Sequence, residues 1–130
     1  MGTKIMSDLH LVAASEMSDD TIYQQIVVCS PGACRPWAVL VATSRLDMLL
    51  YPRDRGPIEQ QQPYLVTQRV VEKGIWRIAL CPQGGLPAGV PLSTRDSVVK
   101  AQIARTATVM SFPAMDHVVQ CGLFGEVLYR

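Results

Sequence analysis

The apolar residues of this chain come in short runs, and proline, glycine or polar residues cut each of them. The clearest, Trp37–Thr43, is continuously apolar up to its last residue, with Pro36 before it. A short apolar run bounded in this way predicts a buried strand. No run approaches the roughly 18 apolar residues that would span a bilayer.

The other segments extend this pattern. Thr21–Cys29 carries Ile22, Tyr23, Ile26, Val27 and Val28, and its β-branched content favours a strand. Ser18-Asp19-Asp20 would equally cap a short helix. Ser30-Pro31-Gly32 reads as a turn. Asp47–Tyr51 is a short apolar piece, and Pro52–Pro63 is loop, with Pro63 breaking any helix begun at Pro57. Tyr64–Val71 and Ile75–Cys81 flank Glu72-Lys73-Gly74, which predicts a hairpin. Pro82–Pro91 is a Pro/Gly-rich connection. Asp96–Val109 fits a helix capped by Ser93 or Thr94, but its Val, Ile and Thr content favours a strand, which is the expectation here. Phe112-Pro113 opens a helix, followed by Val118, Val119, Leu123, Val127 and Leu128 at near-helical spacing. Gly122 and Gly125 should weaken that helix by roughly 1 kcal/mol each relative to alanine. The expected fold is α+β: a small, mostly antiparallel sheet or an SH3-like barrel, with a C-terminal helix.

A chain of 130 residues suits one domain. Residues 1–20 read as an arm or edge strand and residues 21–130 as the α+β domain. Twelve Lys and Arg against eleven Asp and Glu leave a formal charge of +1, so any nucleic-acid site must be a local patch. Near-neutral charge with 48% apolar residues favours self-association, and a homodimer is expected. Met1–Met6 lacks the apolar segment of a signal peptide, which points to the cytoplasm and away from the membrane. Cys29, Cys34, Cys81 and Cys121 then read as reduced thiols. Cys29 and Cys34 with His117 and Cys121 are four zinc-type ligands, but their spacing is loose, and no metal or other cofactor is expected.

Few side chains suggest chemistry on their own. Arg35 precedes Pro36, which pushes it towards an extended shape that can present its planar fork to a phosphate. Its bland reading is a surface arginine. Thr67 lies in an expected strand, where its hydroxyl can donate to a phosphate oxygen; its bland reading is a β-preferring residue.

Arg35-Pro36 at the head of an apolar strand, then Thr67, then Ser97-Val98-Val99 with Gln102-Ile103 and Arg105-Thr106, resembles the pattern of the MazF/PemK ribonuclease toxins. The resemblance spans roughly residues 22–128 and is carried by these short pieces alone. It implies an SH3-like barrel, a homodimer, an antitoxin partner and metal-independent cleavage of single-stranded RNA. It would make Arg35 and Thr67 the catalytic pair and place Gln102 and Arg105 on the substrate. The pattern is imperfect, because Gln102 falls one residue early and Ala104 separates Ile103 from Arg105. In such a scheme an RNA 2′-OH attacks the adjacent phosphate while a guanidinium stabilises the added charge, and no histidine is needed.

Two other readings compete. Ser30-Pro31-Gly32-Ala33-Cys34 is similar to a stretch of viral papain-like proteases, and Cys34 with His117 would be a nucleophile and its base. Alternatively, Trp37, Trp76 and Tyr64 line a non-enzymatic module that binds a protein partner or an apolar small molecule.

Overall fold

A computed structural model describes residues 33–42, 48–80, 85–106 and 109–130. The expected arm at residues 1–20, the strand at Thr21–Cys29 and the ligand Cys29 lie outside the described residues. Strands β1 (Ala38–Ala42), β2 (Met48–Pro52) and β3 (Tyr64–Val66) are followed by helices α1 (Gln68–Ala79), α2 (Leu92–Ala104) and α3 (Phe112–Phe124). The strands form an antiparallel sheet in the order β1-β2-β3. Ala38 pairs with Pro52 and Ala42 with Met48, while Met48 also pairs with Val66. The sheet is open; among the described residues no barrel closes, which corrects that part of the expectation.

Alternation sorts the strands onto two faces. Ala38, Met48, Leu50, Pro52 and Val66 are buried against the helices. Val39, Val41, Leu49, Tyr51 and Leu65 point the other way, and Val41 and Leu65 are exposed.

The expected hairpin from Tyr64 to Cys81 is replaced by a short strand and a helix. Thr67 follows β3 and caps α1, its hydroxyl oxygen accepting a hydrogen bond from the Val70 N–H at 3.3 Å. Val71, Gly74, Ile75, Ile78 and Ala79 then face the core at helical spacing. Gly74 is a contact glycine within the helix. A Cβ there would fall against the Val118 carbonyl oxygen of α3, and one at Gly122 would fall against the Val70 carbonyl oxygen of α1. The two glycines are reciprocal notches that let the backbones of α1 and α3 touch. Gly122 is therefore required by the packing as well as costly in propensity.

Asp96–Val109 also departs from the strand expectation, because residues 92–104 are helical. Thr94, Val98 and Ala101 are buried at i, i+4 and i+7, and α2 packs on α1 and α3. Burial on two helices outweighs the modest strand preference of Val and Thr. Pro91 occupies the N-cap position, so Ser93 and Thr94 lie inside the first turn.

Helix α3 begins where expected. Ser111 caps it by accepting from the Ala114 N–H at 3.2 Å, and Pro113 occupies the first turn. It stops earlier than the spacing of Val127 and Leu128 suggests. Gly125 adopts the left-handed conformation (φ 81°) and its N–H closes on the Cys121 carbonyl at 3.0 Å. No described helix is long and apolar enough to cross a membrane.

Candidate functional site

Among the described residues the most connected polar group is Gln120, on α3, whose side chain is fully buried. Its Nε2 donates to both carboxylate oxygens of Asp116, each at 3.1 Å, and to the Tyr129 carbonyl at 2.8 Å. Its Oε1 accepts from the N–H groups of Leu128 and Tyr129 at 2.9 and 2.8 Å. A buried amide satisfied on both sides is a specific clamp, and here it fixes the C-terminal strap after α3. Asp116 also accepts from the Trp37 indole N–H at 2.7 Å. The network therefore joins α3, the strap and the entrance of β1.

Fixing the strap places Tyr129 on Trp37, with ring centroids 4.5 Å apart and planes 3° from parallel. Phe124 meets Trp37 and Tyr64 edge-on, at 6.1 and 5.0 Å. Trp37 is buried, while Tyr129 and Tyr64 are half-buried and form the outer layer.

A one-turn 3-10 segment, Arg53–Arg55, borders these rings. Arg53 Nε donates to the Arg35 carbonyl at 2.9 Å, which draws Arg35 to the same edge. The Arg55 guanidinium carbon lies over the Tyr64 ring, 5.6 Å from its centroid. The Tyr129 hydroxyl donates to Asp54 Oδ1 at 3.3 Å. Burial, with the nearby Asp54 charge, raises the Tyr129 pKa above its usual value. Gln61 Nε2 holds the following loop by donating to the Pro52 and Gly56 carbonyls at 3.0 and 2.8 Å. The Arg55 guanidinium thus lies over the Tyr64 ring, Arg53 stands two residues before it, and Arg35 is tied to Arg53 through its backbone carbonyl; all three arginines are exposed. Such a surface can hold phosphates and stack flat groups.

The sequence-derived residues divide unevenly over the fold. Trp37 and Tyr64 share this aromatic cluster, although the Trp37 ring belongs to its buried floor. Trp76 stands apart on α1 with 49% of its surface exposed. Arg35 lies before β1, at the Pro52 end of the sheet, and Thr67 follows Val66, at the Met48 end. Four residues of strand rise, about 13 Å, separate those ends, so the register does not bring Arg35 and Thr67 together. Thr67 also caps a helix and does not lie in a strand. Gln102 and Arg105 sit at the C-terminal end of α2, where Arg105 takes the left-handed C-cap conformation (φ 57°). Gln120, Asp116, Phe124 and Tyr129 carry the site without any sequence motif marking them.

The thiols are sequestered. Cys34 is fully buried, and burial together with the neighbouring Asp116 charge pushes its pKa far up, the opposite of an activated nucleophile. Cys121 is pushed up to about 11, chiefly by burial. His117 Nδ1 lies 2.8 Å from Thr94 Oγ1, and burial lowers its pKa. Cys34 and His117 therefore each have a different polar neighbour, Asp116 and Thr94. Among the described residues no three His, Cys, Asp or Glu side chains are grouped to hold a metal ion. No protein-family model, curated protein or solved structure matches the chain.

Proposed function

We propose that this protein binds single-stranded RNA through the face formed by Arg35, Arg53, Arg55, Tyr64 and Tyr129, acting as a binding module. The observation that carries this reading is the Arg53–Arg55 turn, which holds one guanidinium on the Tyr64 ring and anchors another to the Arg35 backbone. Guanidiniums neutralise backbone phosphates, and unstacked bases pack on tyrosine rings or on the guanidinium plane itself. Single strands suit such a face because their bases are free to stack, whereas those of a duplex are not. The resemblance to the MazF/PemK toxins favours the same ligand class through Arg35. Cleavage by Arg35 and Thr67 is supported less well, since the sheet register keeps them at opposite ends.

Fluorescence anisotropy with a labelled 15-nucleotide RNA tests the reading. Binding is expected for the single strand and at least tenfold weaker for the matching duplex. Combined Arg53→Ala and Arg55→Ala should weaken it by a further tenfold or more, and the RNA should remain intact in EDTA. Equal affinity for duplex and single strand would sink the stacking argument, and cleaved RNA would restore the ribonuclease reading. A second reading, a module for a protein partner, draws on the apolar outer face of the sheet around Val41 and Leu65. Leu65→Lys would abolish that binding and leave RNA affinity unchanged.

A further inference from the structure

Helix α2 is apolar on two sides. Thr94, Val98 and Ala101 face the core. On the opposite side, Leu92, Asp96 and Ile103 fall within an arc of about 40° at 3.6 residues per turn, while Val99 beside them is partly buried against the core. Leu92 is 66% exposed and Ile103 77%, the two largest exposures among the chain's described large apolar side chains. A helix with a second apolar stripe is one that packs on both sides.

We infer that this stripe is a homodimer seam, in which α2 packs antiparallel on α2 of a second copy. When the helix is reversed, the two apolar ends of the stripe match each other, and Asp96 falls level with Val99 of the partner subunit. A two-fold axis between Ser97 and Val98 sets Leu92 against the partner's Ile103, and Ile103 against the partner's Leu92. The same axis brings Asp96 within one residue of the partner's Lys100, about 1.5 Å along the helix, and does so twice. Both charged side chains are exposed, Asp96 on the stripe and Lys100 on its flank. A parallel pairing would set Lys100 against Lys100 and Asp96 against Asp96, so charge selects the antiparallel arrangement. A net charge of +1 offers little opposition to the approach of two copies. One helix pair buries less than the roughly 800 Å² per partner of a standard interface, so a dissociation constant on the order of 100 µM is expected.

Analytical ultracentrifugation of the full chain from about 10 to 300 µM, taken as a range around that value, reads the equilibrium directly. A monomer–dimer system is expected. Ile103→Glu should raise the dissociation constant at least about tenfold with an unchanged thermal melt, because the side chain lies outside the core. Lys100→Asp should also weaken the dimer, by leaving acidic groups facing acidic groups. Adding Asp96→Lys to it should bring the constant back to within about threefold of wild type, a recovery that only a cross-paired seam gives. A monomer at the highest concentration, a dimer indifferent to Ile103→Glu, or a double swap no better than Lys100→Asp alone would each overturn the inference.

Discussion

Replacing Gly74 with alanine should destabilise the protein, against the usual trend for a helix interior. Alanine gains about 1 kcal/mol over glycine in helix propensity. The added Cβ would lie about 1 Å inside the 3.0 Å limit of real Cβ contacts, against the Val118 carbonyl oxygen. That oxygen belongs to the backbone of α3, so no side-chain rotamer can relieve the overlap. The helices must separate, and overpacking of this kind costs about 1–3 kcal/mol, occasionally more. With backbone as the obstacle, the cost belongs at about 3–4 kcal/mol, which leaves a net loss of about 2–3 kcal/mol after the propensity gain. Gly122→Ala meets the Val70 carbonyl in the same way and should behave alike. Once the helices have moved apart, the second alanine meets less resistance, so the double variant should fall short of the sum by more than about 0.5 kcal/mol. Urea denaturation followed by circular dichroism gives these values, with an unchanged m-value reporting an unchanged unfolding transition. A Gly74→Ala variant as stable as wild type, or more so, would refute the notch argument.

Three further outcomes are expected. Gln120→Met keeps the volume but leaves the Leu128 and Tyr129 N–H groups unpartnered, so it should cost about 2–4 kcal/mol and shift strap amide signals in NMR spectra; spectra unchanged beyond the substituted residue would contradict the clamp. His117 has a lowered pKa in the folded state, so the unfolded chain binds the proton more readily, and stability should be lost as pH falls below about 6.5. His117→Gln should shrink the difference in stability between pH 7 and pH 5.5, and an unaltered difference would rule His117 out as its source. Cys34 and Cys121 should resist iodoacetamide in the native protein and react after unfolding, as peptide mass spectrometry would read, whereas rapid native labelling of Cys34 would revive the thiol-nucleophile reading.

How much of this fold can be read from the residues depends on whether local pattern and packing agree. Within the continuous apolar run Trp37–Thr43, residues 38–42 become β1, although only Ala38 of that strand is buried, and Phe112-Pro113 begins a helix because capping and proline geometry are local. Lys73-Gly74 looks like a hairpin turn only while the glycine is judged by its backbone freedom. Its role is to admit Val118 from a helix some forty residues later, which no local signal contains. The spacing of Val71, Ile75 and Ile78, with Thr67 poised to cap, was the available evidence for α1. Ser97-Val98-Val99 has strand-forming content, yet Val98 is buried between two helices, and that tertiary contact decides the outcome. At the candidate site, Trp37 and Tyr64 stand out as large aromatic residues. Their joining depends on Gln120 holding the strap through hydrogen bonds to Leu128 and Tyr129, a satisfied buried amide that composition and spacing do not reveal.

The central claim is that three clustered arginines contact the phosphates of a single strand, and the salt dependence of binding tests it most directly. Each phosphate contact on a single strand contributes about −0.7 to the slope of log affinity against log salt, so Arg35, Arg53 and Arg55 together give about −2. Affinity for the labelled RNA should therefore fall roughly 18-fold between 50 and 200 mM salt, and the combined Arg35→Ala, Arg53→Ala and Arg55→Ala variant should lose most of that dependence. A triple variant that binds with the wild-type slope would contradict the account, because the phosphate contacts would then lie elsewhere on the protein.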